Sequence, residues 1–313
     1  MNRYPFCLFR IPENGGRVLW EITNTCNYHC NYCIFSSEAK RYDNELNTEE
    51  VIKAINDLKE NNFTYIKFTG GEPFTRKDMT YILNYATQLG FDMDISTNGS
   101  LITEEIAKEL KRMNFPMVHV SLDGYNKDTH EYVRGENTFE TTLNGIKQLT
   151  QNGIYTRIGT VIYRYNEDKL EEIVNLAISL NVNEIIFSFM EAVGRLEDET
   201  IISKRQISDV KKEIEELEMK YGDKIKVKYS FTEKVNVASN ECCPAVSKFI
   251  YINNLGQISP CTWVISKEPK YKSKLTLKEA TFKEIIQSQP IKEYIQYIQQ
   301  NKITGCPVCR RKQ

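Results

Sequence analysis

Residues 18–35 read VLWEITNTCNYHCNYCIF, and the change of character inside this stretch decides the fold. Val18–Ile22 is β-branched and aromatic, the composition of a buried strand. Asn24–Phe35 is polar and carries Cys26, Cys30 and Cys33 in C-x3-C-x2-C spacing. Three thiolates from one loop can hold three irons of a [4Fe–4S] cube, which leaves the fourth iron open to a small molecule. The competing use of such a loop is structural zinc. Zinc takes four ligands, commonly in paired C-x2-C groups, and His29 is the one further candidate in the loop.

Outward from this stretch, short apolar segments alternate with helical patterns. Strands are expected at Val18–Ile22, Tyr65–Thr69, Asp92–Thr97, Met117–Leu122, Thr156–Ile162 and Glu184–Met190. Helices are expected near Thr48–Glu60, Lys77–Leu89, Thr103–Arg112, Phe139–Gln151 and Asp168–Leu180, several of them opened by a cap-like residue such as Thr103. Strands separated by helices of this length imply right-handed βαβ units and a parallel sheet, either open and doubly wound or closed toward a barrel. In both, function collects at the C-terminal ends of the strands.

The strand ends meet that condition. The second strand runs into Gly70-Gly71-Glu72-Pro73, the third into Thr97-Asn98-Gly99, and the fourth into Ser121 and Asp123. Adjacent glycines let backbone approach a ligand closely. Small hydroxyls, an amide and a carboxylate suit ribose hydroxyls and an amino-acid head group. Taken singly, each of these is also an ordinary cap or turn residue. Four consecutive strands ending in such loops on one face is the informative feature.

The combination of C-x3-C-x2-C, GGEP, STNG and SLD, spread from about Arg17 to Met190, resembles the radical S-adenosylmethionine (SAM) superfamily. That resemblance implies an α/β fold, a partial (β/α)6 TIM-like barrel, with SAM chelating the open iron of the cluster. It implies SAM contacts from Tyr32, Gly70, Gly71, Glu72, Pro73, Thr97, Asn98, Ser121 and Asp123. Arg134 would pair with the SAM carboxylate, as a planar fork suits it, and Val161 would lie near adenine. It also implies methionine and a 5′-deoxyadenosyl radical as products, and a flavodoxin or ferredoxin as electron donor.

After Met190 the pattern changes. Gly194–Glu199 looks like a linker, Ser208–Lys220 like a charged amphipathic helix and Lys224–Ser230 like a further strand. Phe249–Ile252 and Gln257–Ser259 flank Asn253–Gly256 as a hairpin would, and Lys278–Gln300 is helical with a break near Pro290. Four thiolates, Cys243, Cys261, Cys306 and Cys309, are candidate ligands for zinc or for a fully ligated [4Fe–4S] cluster, with Cys242 a rival to Cys243. This group resembles the start of a SPASM domain. Because the chain stops four residues past Cys309, the resemblance implies one auxiliary cluster, as in the shortened twitch variant. The implied organisation is an extension over 1–16, a core barrel over 17–193, a linker with a helix and a strand over 194–232 and an auxiliary-cluster domain over 233–313.

Bulk properties narrow the function. At 313 residues the chain accommodates one large domain with a small appendage. Lys and Arg total 41 and Asp and Glu 42, so a net charge of −1 gives no support for a nucleic-acid or acidic-membrane partner. No apolar run approaches the ~20 residues that span a bilayer, and no signal peptide is legible, which leads us to expect a cytoplasmic protein. Nine cysteines, clustered and odd in number, point to metal ligands in a reducing compartment, with Cys7 matching no motif. The resemblance to SPASM-type enzymes implies a peptide or protein substrate to be crosslinked, epimerised or oxidised. The alternative is a small molecule of an antibiotic or cofactor pathway. Glu191 follows the sixth strand and would point toward the barrel mouth, where ionised surface glutamates are commoner than catalytic ones.

Overall fold

A computed structural model describes residues 15–40, 43–230, 249–262, 264 and 268–300. Seven strands in chain order run side by side: β1 (Gly16–Thr23), β2 (Phe63–Gly70), β3 (Asp92–Thr97), β4 (Val118–Ser121), β5 (Thr156–Ile162), β6 (Glu184–Phe189) and β7 (Lys226–Tyr229). Every neighbouring pair among them is parallel, with registers such as Leu19↔Lys67, Lys67↔Asp94, Ser96↔His119 and His119↔Arg157. Helices α1 (Thr48–Glu60), α2 (Met79–Gln88), α3 (Glu104–Arg112), α4 (Lys127–Arg134), α5 (Phe139–Gln151), α6 (Leu170–Ser179) and α7 (Ile207–Tyr221) supply the crossovers. This is a mixed α/β fold whose parallel sheet forms the partial barrel expected from the motifs.

Alternation along the strands separates two faces. Val118 and Val120 of β4 and Ile158 of β5 join one apolar core with helical residues such as Leu110, Ile146 and Leu149. Burying each such side chain stabilises the fold by about 1.5–3 kcal/mol. The opposite, inner face carries Lys67, Asp94, His119, Arg157 and Glu184 at the alternate positions.

Local chemistry explains the element ends. Asn47 and Glu50 form a reciprocal capping box at α1, and Thr103 accepts from Ile106 N at α3. The sequence expectations hold to within a few residues for the six strands, and Asp92–Thr97 and Thr156–Ile162 keep their bounds. Helix α4 was not expected. It has eight residues, is capped by Asn126 and is mostly polar, so no long apolar period announces it. The helical stretch over 278–300 divides into α8 (Phe282–Ile286) and α9 (Gln289–Gln300). Pro290 sits in the first turn of α9, where its missing N–H costs nothing.

Two findings concern the segments beyond β6. Strand β7, expected within a linker, pairs in parallel with β6 (Ile185↔Val227) and extends the core sheet. Strand β8 (Phe249–Ile252) pairs in parallel with β1 (Leu19↔Tyr251) on the opposite edge and turns into β9 (Ile258–Ser259). The hairpin therefore adds to the same sheet. Phe63 and Phe282 meet edge to face at 5.0 Å, which packs α8 onto β2.

Candidate active site

The cysteine loop leaves β1 at Thr23 and is tied down at once. Glu45 accepts from Thr23 Oγ1 at 2.8 Å and from Asn24 N at 2.6 Å. Cys26 is buried, and its Sγ accepts from Tyr28 N at 3.4 Å, with Asn98 Nδ2 at 4.0 Å. Tyr28 turns its hydroxyl onto the Thr138 carbonyl at 3.1 Å and so fixes the loop to the start of α5. Cys30 Sγ lies 4.0 Å from the Arg134 carbonyl, and Cys33 N donates to Cys30 O at 3.3 Å. Burial pushes the Cys26 thiol up to about 12 and raises that of Cys30, so both thiols hold their protons until a metal displaces them.

Three cysteines presented by one loop, with the loop held by the contacts above, are a donor set that fits a cube in which each thiolate binds a different iron. N–H donors aimed at Cys26 are the kind of contact that tunes a cluster's potential.

The GGEP loop packs against this loop through its backbone. Gly71 N donates to Thr23 O at 2.8 Å and Glu72 N to Thr25 O at 2.9 Å. A Cβ on Gly71 would lie 2.2 Å from Thr25 O, and one on Gly70, at φ +138°, would lie 2.2 Å from Thr23 O. The close approach that the double glycine permits is thus made to the cysteine loop itself. Pro73 opens a 3-10 turn behind it.

Glu72 is fully buried and faces the third strand end. Its carboxylate accepts from Thr97 Oγ1 at 2.8 Å, Asn98 N at 2.7 Å and Phe74 N at 3.1 Å. Burial outweighs these donors and pushes its carboxyl up to about 7. Asn98 reaches Asn27 Oδ1 at 3.0 Å, so the STNG loop also touches the cysteine loop.

Asp123, fully buried at the end of β4, is the second hub. Oδ2 accepts from Arg134 Nε at 2.6 Å and from the Tyr32 hydroxyl at 2.5 Å, and Oδ1 accepts from Val161 N at 2.8 Å. Arg134 also donates to Tyr32. The structure therefore brings Tyr32, Asp123, Arg134 and Val161 together, and the carboxylate that the Arg134 fork meets is Asp123. Ser121 sits half-buried one turn of the pleat earlier, in register with Gly159.

Residues that the sequence reading did not single out complete the loop's support. Gly194 has φ +62°, and a Cβ there would lie 2.2 Å from Cys33 O. Arg195 N donates to Cys33 O at 2.9 Å, and its guanidinium donates to Cys30 O at 3.0 Å and to Ser37 O. The stretch expected as a linker is thus a clamp on the cysteine loop. Its signal was its place at the sixth strand's C-terminal end. In the tail, Cys261 is buried and its Sγ accepts from Val264 N at 3.4 Å. Cys7, Cys242, Cys243, Cys306 and Cys309 lie outside the described residues.

A parallel βα sheet with three cysteines and polar loops at one end defines a class of cofactor-dependent barrel enzymes. The family model for the Radical SAM superfamily matches residues 20–177, and the chain belongs to that superfamily. Its members use a [4Fe–4S] cluster and SAM. It is 35% identical over 161 residues to mycofactocin maturase MftC of Mycolicibacterium smegmatis, which is 51% of this chain and 41% of that protein. It is 35% identical over 179 residues to Fe-coproporphyrin III synthase of Methanosarcina barkeri, which is 57% of this chain and 45% of that protein. The match thus spans less than half the length of either relative. Among solved structures, SuiB of Streptococcus suis bound to S-adenosylmethionine superposes with a TM-score of 0.75 at 16% identity. The superposition covers 91% of this chain and 68% of SuiB, which has also been solved with its precursor peptide SuiA.

Proposed function

We propose that this chain cleaves SAM reductively at a cluster on Cys26, Cys30 and Cys33 and takes hydrogen from a peptide or protein substrate. Cluster and SAM together supply the one-electron cleavage that yields methionine and a 5′-deoxyadenosyl radical. The chain's own contribution is orientation. The observation that carries this is the convergence of three strand-end loops on the cysteine loop, through Gly71, Glu72 and Asn98 on one side and Asp123 and Arg134 on the other. Backbone of Gly70–Pro73 is suited to the SAM amino group. Thr97, Asn98, Ser121 and Asp123 offer hydroxyls, an amide and a carboxylate for the ribose and the carboxylate end, and Val161 an apolar contact for adenine.

The peptide reading draws on the likeness to a maturase and on a shared fold that accommodates a precursor peptide in SuiB. A small-molecule substrate is the second reading, favoured by the equal identity to Fe-coproporphyrin III synthase. An auxiliary [4Fe–4S] cluster on Cys243, Cys261, Cys306 and Cys309 and a flavodoxin or ferredoxin donor complete the proposal. No described helix is long and apolar enough to cross a membrane.

Deuterium transfer decides between the substrates. Perdeuterated candidate peptides and perdeuterated porphyrin precursors are each incubated with reduced enzyme and SAM. Deuterium in 5′-deoxyadenosine from a peptide alone supports the proposal, and deuterium from the small molecules alone overturns the peptide half of it.

A further inference from the structure

The inner face of the sheet is charged. In a closed eightfold barrel this position is filled by layers of Val, Ile and Leu. Here Lys67 Nζ meets Asp94 at 2.9 Å, Arg157 Nε meets Glu184 at 2.7 Å, and Lys228 Nζ meets Glu184 at 3.3 Å. Between the first two pairs, in register with Ser96 and Arg157, stands His119. Its ring lies over Gly159 of β5, where a Cβ would fall 2.0 Å from Nε2. Gly159 thus provides the room that lets an imidazole lie flat on the sheet, just below Ser121 and Val161.

Asp94 is ion-paired with Lys67 and accepts from Tyr65, and Glu184 is ion-paired with Arg157 and accepts from Lys228 and Tyr155. Lysine has three donors and arginine five, so Lys67 and Arg157 retain N–H groups beyond these pairs. His119 Nδ1 is buried with no hydrogen-bond partner among the described residues. An orphaned buried polar atom of this kind costs about 1–3 kcal/mol and calls for an explanation. Burial, then Lys67, Arg157 and Arg134, hold the imidazole well below its usual range. The field around the ring is therefore positive, and such a field attracts an anion. Within these ion pairs, the three cations Lys67, Arg157 and Lys228 face the two carboxylates Asp94 and Glu184. The single positive charge left over suits a monoanion.

We propose that Lys67, His119 and Arg157 form a carboxylate-binding subsite on the inner face, which anchors an acidic group of the substrate and directs the rest of it toward the cysteine end. This rests on the proposed function, in which a substrate gives up hydrogen at the cysteine end of the sheet. The carboxylate belongs to an acidic peptide residue or to a small acid, and the test separates the two.

The chain has three histidines. Cluster-loaded protein with SAM and [13Cε1]-histidine therefore gives three imidazole signals, and His119→Gln assigns the relevant one. The probes at pH 7 are N-acetylglycine, N-acetylglycinamide, a glutamate-containing capped pentapeptide and its glutamine counterpart. The expected result is a saturable shift of the His119 signal with the acids and none with the amides, and at least tenfold weaker binding in Lys67→Met or Arg157→Met. Equal shifts with acids and amides, or no shift with any acid, overturn the proposal. The comparison of acid with amide needs no variant, so a misfolded Lys67→Met leaves it decisive. A response to N-acetylglycine but not to the glutamate peptide upholds the subsite and counts against a peptide substrate.

Discussion

Asp123 shows how much one residue carries. It is fully buried and ionically paired with Arg134, and Tyr32 and Val161 donate to the same carboxylate. Arg134→Ala would leave that charge without its cation, a loss that costs about 3–5 kcal/mol at a buried pair. Thermal melts followed by circular dichroism are expected to fall accordingly, with Arg134→Lys between the two because it keeps the charge but loses the fork. A melt for Arg134→Ala within about 1 kcal/mol of wild type contradicts this role. The sequence made Asp123 and Arg134 legible as site residues, since the motif positions point to them. It did not reveal that each is the other's partner, because that contact depends on how α4 returns over β4. His119 was invisible for a similar reason. Its significance lies in Lys67, Arg157 and Gly159, which come from two other strands.

At the scale of elements, the strand β1 and the hairpin strand β8 meet through Glu21 and Tyr251, whose hydroxyl donates to the buried carboxyl. Burial, with a smaller contribution from Glu45, pushes Glu21 up from 4.5 to about 7 against the pull of that hydrogen bond. A carboxyl whose pKa rises on folding holds its proton better in the folded chain. Its contribution to stability is complete below pH 4.5 and is lost as pH climbs through about 7. Glu21→Gln stays neutral and still accepts from Tyr251. Its urea midpoint is expected to exceed that of wild type at pH 8, by the equivalent of about 1–3 kcal/mol, and to match it near pH 4.5. An equal difference at both pH values contradicts the assignment. The elements themselves were largely legible, since apolar period and caps fix strands and helices locally. Helix α4 was too short and too polar to announce itself, and Gly194–Arg195 resembled a linker because its partners, Cys33 and Cys30, are more than 150 residues away in the chain.

At the scale of the molecule, the sequential order of β1 to β7 follows from repeated βα units, which is why the parallel sheet was predictable. The two edges were not. Placing β7 beside β6 and β8 beside β1 depends on long-range pairing, to which strand propensity is blind. That pairing makes the segments on either side of the core part of one sheet, with the cysteine loop at the ends of its strands. The arrangement of Cys26, Cys30 and Cys33, with the loops packed around them, is the centre of the account. Its most direct test is the anaerobic incubation of reconstituted, reduced protein with SAM, alongside Cys30→Ala prepared in the same way. The account predicts 5′-deoxyadenosine and methionine in equal amounts from wild type and neither from the variant. Wild type that yields neither product, or Cys30→Ala that yields both at the wild-type rate, would contradict it.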